Sequence, residues 1–344
     1  MIKRKYNGLT NLIRALSLSF APSGFENEAA DKIISFAEKY VDDVFRADNG
    51  SVIAKIASRS QRKEKKKPVV LISHMDEECF MVKEIDDDGY IKISPLTLKN
   101  PKVLAAKNVT LGSNLRRVNG YFGIKPVHLG GAVGFDSLYI DIGSKNKAES
   151  DSLVQSGDYA VFRSDFVKFG NKNDYFKGKA LSRSAGCSVL CNVMQTLTDN
   201  DELSFDVYFI FASRYELNCS SAMPALRIIE KKYGIIPDHA VIVSGINSET
   251  VGELFIPSMY GGSLFDRNLN EKLNTCPTVK TSLIFAEKQN EAAADHGILC
   301  SELGIKCSAL CIPVKYMHTP ANVILRKDVT NAIDLILNLL LKKL

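Results

Sequence analysis

At 344 residues the chain is longer than one typical domain and shorter than three. Apolar residues make up 45% and charged residues 24%, which excludes a disordered chain, a collagen and a coiled coil and supplies a sizeable core. The net charge of +5, from 44 basic and 39 acidic side chains, is too small to point to nucleic acid, and no apolar run reaches membrane-span length.

Met1-Ile-Lys-Arg-Lys has the charge of a signal n-region, but Asn11 and Arg14 interrupt the apolar stretch behind it. The expectation is a soluble, non-secreted, cytoplasmic protein. Eight cysteines without one C-x-x-C pair read as free thiols packed as small hydrophobes.

Leu9, Leu12, Ile13, Leu16 and Phe20 recur at helical spacing until Pro22-Ser23-Gly24 ends the first helix, and a second follows from Glu26 to Val41. Strands are expected at Val52–Ile56 and Val69–Ile72, with the basic run Arg62–Lys67 between them as a solvated loop. From Glu77 to Phe176 the texture changes to short β-like runs punctuated by glycine, beginning with a hairpin around Asp86-Asp-Asp-Gly89. The α/β texture then resumes. It gives a helix over Ser184–Leu197, a buried strand at Val207–Ala212, a helix over Ala225–Tyr233, strands at Ala240–Val243 and Ser308–Ile312, and a terminal helix from Val329.

Helices alternating with buried strands predict an α/β fold, a mostly parallel sheet flanked by helices. Into it is inserted a small all-β, barrel-like domain. The expected division is a discontinuous α/β domain over 1–75 and 177–344, with the inserted domain over 76–176.

In open α/β sheets ligands bind beyond the carboxyl ends of the strands. There the sequence places Ser73-His74-Met75-Asp76-Glu77-Glu78, Arg214-Tyr215-Glu216, Ser244-Gly245 and Lys315-Tyr316-Met317-His318. Two histidines and a glutamate converge from three strands, and His-x-Asp is the pattern in which a carboxylate orients a metal-ligating imidazole. Read alone, His74 and His318 serve equally well as ordinary hydrogen-bonded histidines.

These blocks, with Pro22-Ser23-Gly24-Phe25-Glu26, Gly178-Lys179-Ala180-Leu181, Ala185-Gly186 and Tyr316-Met317-His318-Thr319-Pro320, resemble the dinuclear-metal aminopeptidases. Those are the glutamyl-aminopeptidase-like enzymes that assemble into tetrahedral cages, some once labelled endoglucanases. The resemblance implies a zinc-exopeptidase-like fold and hydrolysis of N-terminal residues from peptides. It also implies a divalent metal cofactor, zinc or cobalt, a homo-oligomer of dimer size or larger, and an oligomerisation and lid role for the inserted domain. Peptides are the implied partners, without nucleic acid or membrane.

The resemblance assigns retained metal-ligand positions to His74, Glu216 and His318, with Asp76 behind His74, and substrate binding to Asp295. It departs at the chemistry. The bridging aspartate reads Ser182, the second aspartate ligand reads Ser244, and the general-base glutamate reads Tyr215. Arg183 adds a positive charge in the same block. Catalytic zinc normally takes three protein ligands, and loss of a general base removes about 10²–10⁴ in rate. The expectation is metal weakly bound or absent and an activity lost or strongly impaired. The alternative is a single-metal aminopeptidase on Glu216 and His318. A buried Glu216 carboxylate is expected to find Arg183, Arg214 or a histidine within hydrogen-bond reach.

Overall fold

Apolar spacing decides the first elements of the computed structural model, which describes residues 6, 8–60, 67–97, 100–113, 116–124, 134–198, 200–201, 203–218, 222–260, 263–274, 279–286, 299 and 303–344. Helix α1 (Leu9–Leu18) buries Leu9, Ile13 and Leu16, and α2 (Asn27–Ala37) buries Ala29, Ala30 and Ile33. Strands β1 (Asp43–Arg46), β2 (Val52–Ile56) and β3 (Val69–His74) follow, the last buried at every position.

Next come β4 (Cys79–Ile85), β5 (Ile91–Pro95), β6 (Asn108–Gly112), β7 (Arg117–Ile124), β8 (Leu138–Asp141), the short helix α3 (Lys147–Asp151) and β9 (Tyr159–Phe162). The six strands close into a barrel in the order β4-β5-β8-β7-β6-β9. Closure removes the open edges that short antiparallel strands would otherwise expose. Phe122 and Phe162 meet the ring of Phe80 edge-on at 5.3 and 5.8 Å and fill the interior. Gly89 closes the β4–β5 hairpin at φ +89°, a left-handed conformation that suits glycine.

Two short strands, β10 (Val167–Phe169) and β11 (Tyr175–Gly178), lead into helix α4 (Leu181–Leu197). Strand β12 (Val207–Ala212), helices α5 (Tyr215–Asn218) and α6 (Ala222–Tyr233), and strands β13 (His239–Asn247), β14 (Leu254–Tyr260) and β15 (Ser263–Leu264) follow. The chain ends with α7 (Arg267–Leu273), β16 (Thr281–Ala286), β17 (Lys306–Val314), β18 (Asn322–Leu325) and α8 (Arg326–Lys342).

Among the described residues the main sheet has nine strands, β1-β2-β12-β3-β13-β17-β14-β15 with β16 beside β14. Its centre, β12-β3-β13-β17, is parallel and covered on both faces, while β2 and β14 join it antiparallel on either side and β16 lies parallel to β14. One face packs on α1, α2, α4 and α8, the other on α6. Gly186 sets how closely α4 approaches: a Cβ there would lie 2.4 Å from Ser73 Oγ and 2.6 Å from the Val243 carbonyl. Strand β18 pairs with β11, so the segment after the barrel is tied to the carboxyl-terminal part of the chain. In register, His74 stands beside Ala212, which brings the carboxyl ends of β3 and β12 to one level.

The five described cysteines, 79, 187, 191, 307 and 311, are buried free thiols. Residues 62–66 of the basic run lie outside the described residues. Among the described residues no helix is long and apolar enough to cross a membrane.

Candidate functional site

At the carboxyl edge of the sheet His74, Asp76, Ser182, Glu216 and His318 line a cavity of about 20 Å³. At the end of β3, His74 Nδ1 lies 3.2 Å from Asp76 Oδ1, so the ring presents Nδ1–H to the carboxylate. The other carboxylate oxygen accepts from the Glu216 backbone N–H at 2.8 Å. Burial disfavours a charged His74, but Asp76 and Glu216 outweigh it and raise its pKa. Tyr215 lays its ring against the imidazole, with centroids 4.6 Å apart and planes at 24°.

Beneath lies a buried ion cluster. Lys179 Nζ donates to both Glu77 carboxylate oxygens at 2.7 Å and to the Ser19 carbonyl at 3.0 Å. Arg183, in the first turn of α4 and 1% exposed, donates to the Met75 carbonyl at 3.0 Å, the Ser19 carbonyl at 3.3 Å and Glu77 Oε1 at 3.4 Å. Among the described residues its Nε–H has no partner. Burial, aided by the Arg183 charge, pulls the Lys179 pKa down against the pull of Glu77.

The opposite rim is the turn after β17. His318 Nδ1 is hydrogen-bonded to Glu78, and Asn322 holds the turn through Nδ2 bonds of 2.9 Å to the Tyr316 and Thr319 carbonyls. Oδ1 of the same Asn322 accepts from the Leu181 N–H at 3.1 Å, linking the His318 turn to the start of α4. Across the site, Glu26 accepts from the N–H groups of Gly24 and Arg214 at 2.6 and 2.9 Å and from Ser213 Oγ at 2.8 Å. It thereby clamps the turn that presents Tyr215 and Glu216. Ala180, Arg214, Tyr316 and His318 all hold left-handed backbone in these turns. Such a conformation costs a non-glycine residue about 1–2 kcal/mol, and it persists where surrounding contacts over-determine it.

Glu216 corrects one expectation. Arg183 turns to Glu77, because the paired carboxylate and two carbonyls satisfy its fork, and Arg214 is exposed. Among the described residues no side chain donates a hydrogen bond to the Glu216 carboxyl. Burial pushes its pKa up to about 7, opposed by His74 and His318. Ser182 lines the cavity, and its Oγ accepts from the Gly245 N–H at 3.2 Å. Ser244, the residue before that glycine, is buried, and among the described residues its hydroxyl has no partner. Asp295 lies outside the described residues. Among those described, no three His, Cys, Asp or Glu side chains converge as a set that could hold a metal ion.

Four contributors were given no role from sequence. Glu78 carries no local sign that it meets His318, Asn322 follows the turn without a motif, and Glu77 and Lys179 reveal their pairing only in space.

The fold is that of an α/β exopeptidase-like domain carrying a closed barrel, with a histidine- and carboxylate-rich pocket at the sheet edge. A profile of the M42 glutamyl aminopeptidases matches residues 50–335, and the chain belongs to that family. The lysyl aminopeptidase of Pyrococcus furiosus is 22% identical over 341 residues, covering 94% of each chain. A TET aminopeptidase from a marine-sediment Thaumarchaeota archaeon superposes with a TM-score of 0.87 at 22% identity, over 98% of this chain and 97% of that one. The Pyrococcus horikoshii TET1 peptidase, which can assemble into a tetrahedron or a large octahedral shell, gives a TM-score of 0.83 at 20% identity, over 97% and 99%.

Proposed function

We propose that this chain is a member of the M42 aminopeptidase family that does not hydrolyse peptides through a two-metal centre, and that it serves as a peptide-binding or assembly subunit. The donor set around the cavity is the observation that carries this reading. His74, Glu216 and His318 offer nitrogen and carboxyl oxygen, but Ser182 and Ser244 offer neutral hydroxyls, and Ser182 already accepts from Gly245. A buried guanidinium lines the same cavity. These residues do not fit a pair of divalent ions, which need negative ligands to offset their charge. Tyr215 offers a phenol in place of a carboxylate base, and its ring is engaged with His74.

The strained turns and the Asn322 and Glu26 clamps support a pocket kept in shape for binding. Elemental analysis after incubation with zinc and with cobalt tests the reading, alongside aminoacyl-anilide cleavage with and without chelator. The expected result is less than one metal per chain and no chelator-sensitive turnover. Stoichiometric metal with robust turnover, abolished by chelator and by His318→Ala, would sink it.

That outcome would favour the single-metal enzyme, for which one observation speaks. Glu78 holds His318 through Nδ1, as a carboxylate orients a metal-ligating imidazole.

The domain over 76–176 is assigned the subunit contacts, in line with the TET relatives that form large shells. At least a homodimer is expected, and a clean monomer mass by light scattering at micromolar concentration would count against it. Buried free thiols support a reducing compartment such as the cytoplasm.

A further inference from the structure

We infer that Arg183 is the resident cation of this pocket, balancing within the chain the carboxylates that divalent ions would otherwise balance, so that the fold is independent of metal. The inference rests on the non-catalytic reading above and goes further, because it assigns Arg183 a role in stability and in the rejection of metal.

Four acids line the cavity: Asp76, Glu77, Glu78 and Glu216. Buried carboxylates need a partner charge, a hydrogen-bond network or a proton. Asp76 has His74 and Glu78 has His318. Glu77 has two cations, Lys179 at 2.7 Å and Arg183 at 3.4 Å. Lys179 and Arg183 thus share one carboxylate, and Arg183 lines the same cavity as Glu216, which among the described residues is the one of the four acids without an ion-pair partner. Guanidinium stays protonated at any working pH.

The geometry makes the arginine structural as well. Its fork joins the Met75 carbonyl after β3, the Ser19 carbonyl after α1 and Glu77, so α4 is pinned to two other elements by one side chain. The same charge opposes a divalent ion. Arg183 and the retained ligand positions line one small cavity, so the repulsion acts at short range and lowers affinity for the ion.

Wild type, Arg183→Ala and Arg183→Lys are each measured with zinc and with chelator, reading the melting temperature and the zinc dissociation constant. Wild type is expected to melt within about 1 °C in both conditions, since a ligand that does not bind the folded state cannot stabilise it. Arg183→Ala is expected to melt at least about 5 °C lower in chelator, to regain part of that loss with zinc, and to bind zinc at least tenfold more tightly. Arg183→Lys keeps the charge and is expected to stay insensitive to zinc. If the alanine variant does not fold, the lysine variant decides, and zinc stabilisation of it by several degrees overturns the inference. Zinc stabilisation of wild type by several degrees also overturns it. So does an alanine variant that matches wild type in melting and in zinc binding, and that result leaves the non-catalytic reading standing. Chelator-sensitive hydrolysis by wild type overturns both.

Discussion

Asp76 and Glu216, 140 positions apart in the chain, are joined by a 2.8 Å hydrogen bond from the Glu216 backbone N–H to Asp76 Oδ2. The other oxygen of the carboxylate faces His74 Nδ1, so one buried side chain fixes both the imidazole at the end of β3 and the first turn of α5. Asp76→Ala strands a buried N–H and an imidazole together. It is expected to lower stability by about 3 kcal/mol, with Asp76→Asn intermediate because its carbonyl oxygen still accepts from one of them. Urea unfolding of the three proteins measures this, and an alanine variant as stable as wild type would contradict the role.

Glu26 does the same for the turn before α5. Its carboxylate takes three donors, and Arg214 beside it holds φ at +62°. Glu26→Ala is expected to cost about 2–4 kcal/mol, since those donors lose their acceptor in a buried site. Arg214→Gly is expected to stay within about 1 kcal/mol of wild type, because relief of left-handed strain offsets the entropy that glycine adds to the unfolded chain. Thermal unfolding compares the two, and a larger loss for the glycine variant would show that the Arg214 side chain matters more than the clamp.

Asp328, in the first turn of α8, sets a pH dependence far from the pocket. Its Oδ2 accepts from the Gly252 N–H at 2.8 Å, its Oδ1 has no partner among the described residues, and burial raises its pKa from 3.8 to about 6. The folded chain therefore holds a proton that the unfolded chain releases. Its contribution is fully present below pH 4, falls as pH rises to 6, and is gone above, a loss of about 2–3 kcal/mol. Asp328→Asn keeps the acceptor without the charge. It is expected to remove that slope and to raise stability at pH 8, as read from urea midpoints between pH 4 and 8. An unchanged slope would assign the dependence to other groups.

Restoring chemistry requires several changes together. Ser182→Asp, Arg183→Asp, Tyr215→Glu and Ser244→Asp in one chain are expected to yield zinc or cobalt binding first and aminopeptidase turnover only weakly, because the supporting shell is built for different side chains. Single reversions are expected to do little. A calorimetric titration with zinc and an aminoacyl-anilide assay follow the two properties separately. Full turnover from Tyr215→Glu alone would show that metal is held without the missing carboxylates.

Local sequence determined the elements whose side chains carry their own period. The faces of α1 and α8, the apolar runs of β3, β12 and β13, and the β4–β5 hairpin follow from short-range pattern, because burial of one stripe or of both sheet faces is imposed residue by residue. His74 and Asp76 belong with them, two positions apart on one strand end. Tertiary structure alone decided where Arg183 points, what Tyr215 stacks on, which acid holds His318, and that β18 pairs with β11. Each of those depends on partners more than a hundred residues away. A guanidinium one turn into a helix goes to whichever carboxylate and carbonyls the packed fold sets within its reach, and no spacing in the chain encodes that distance.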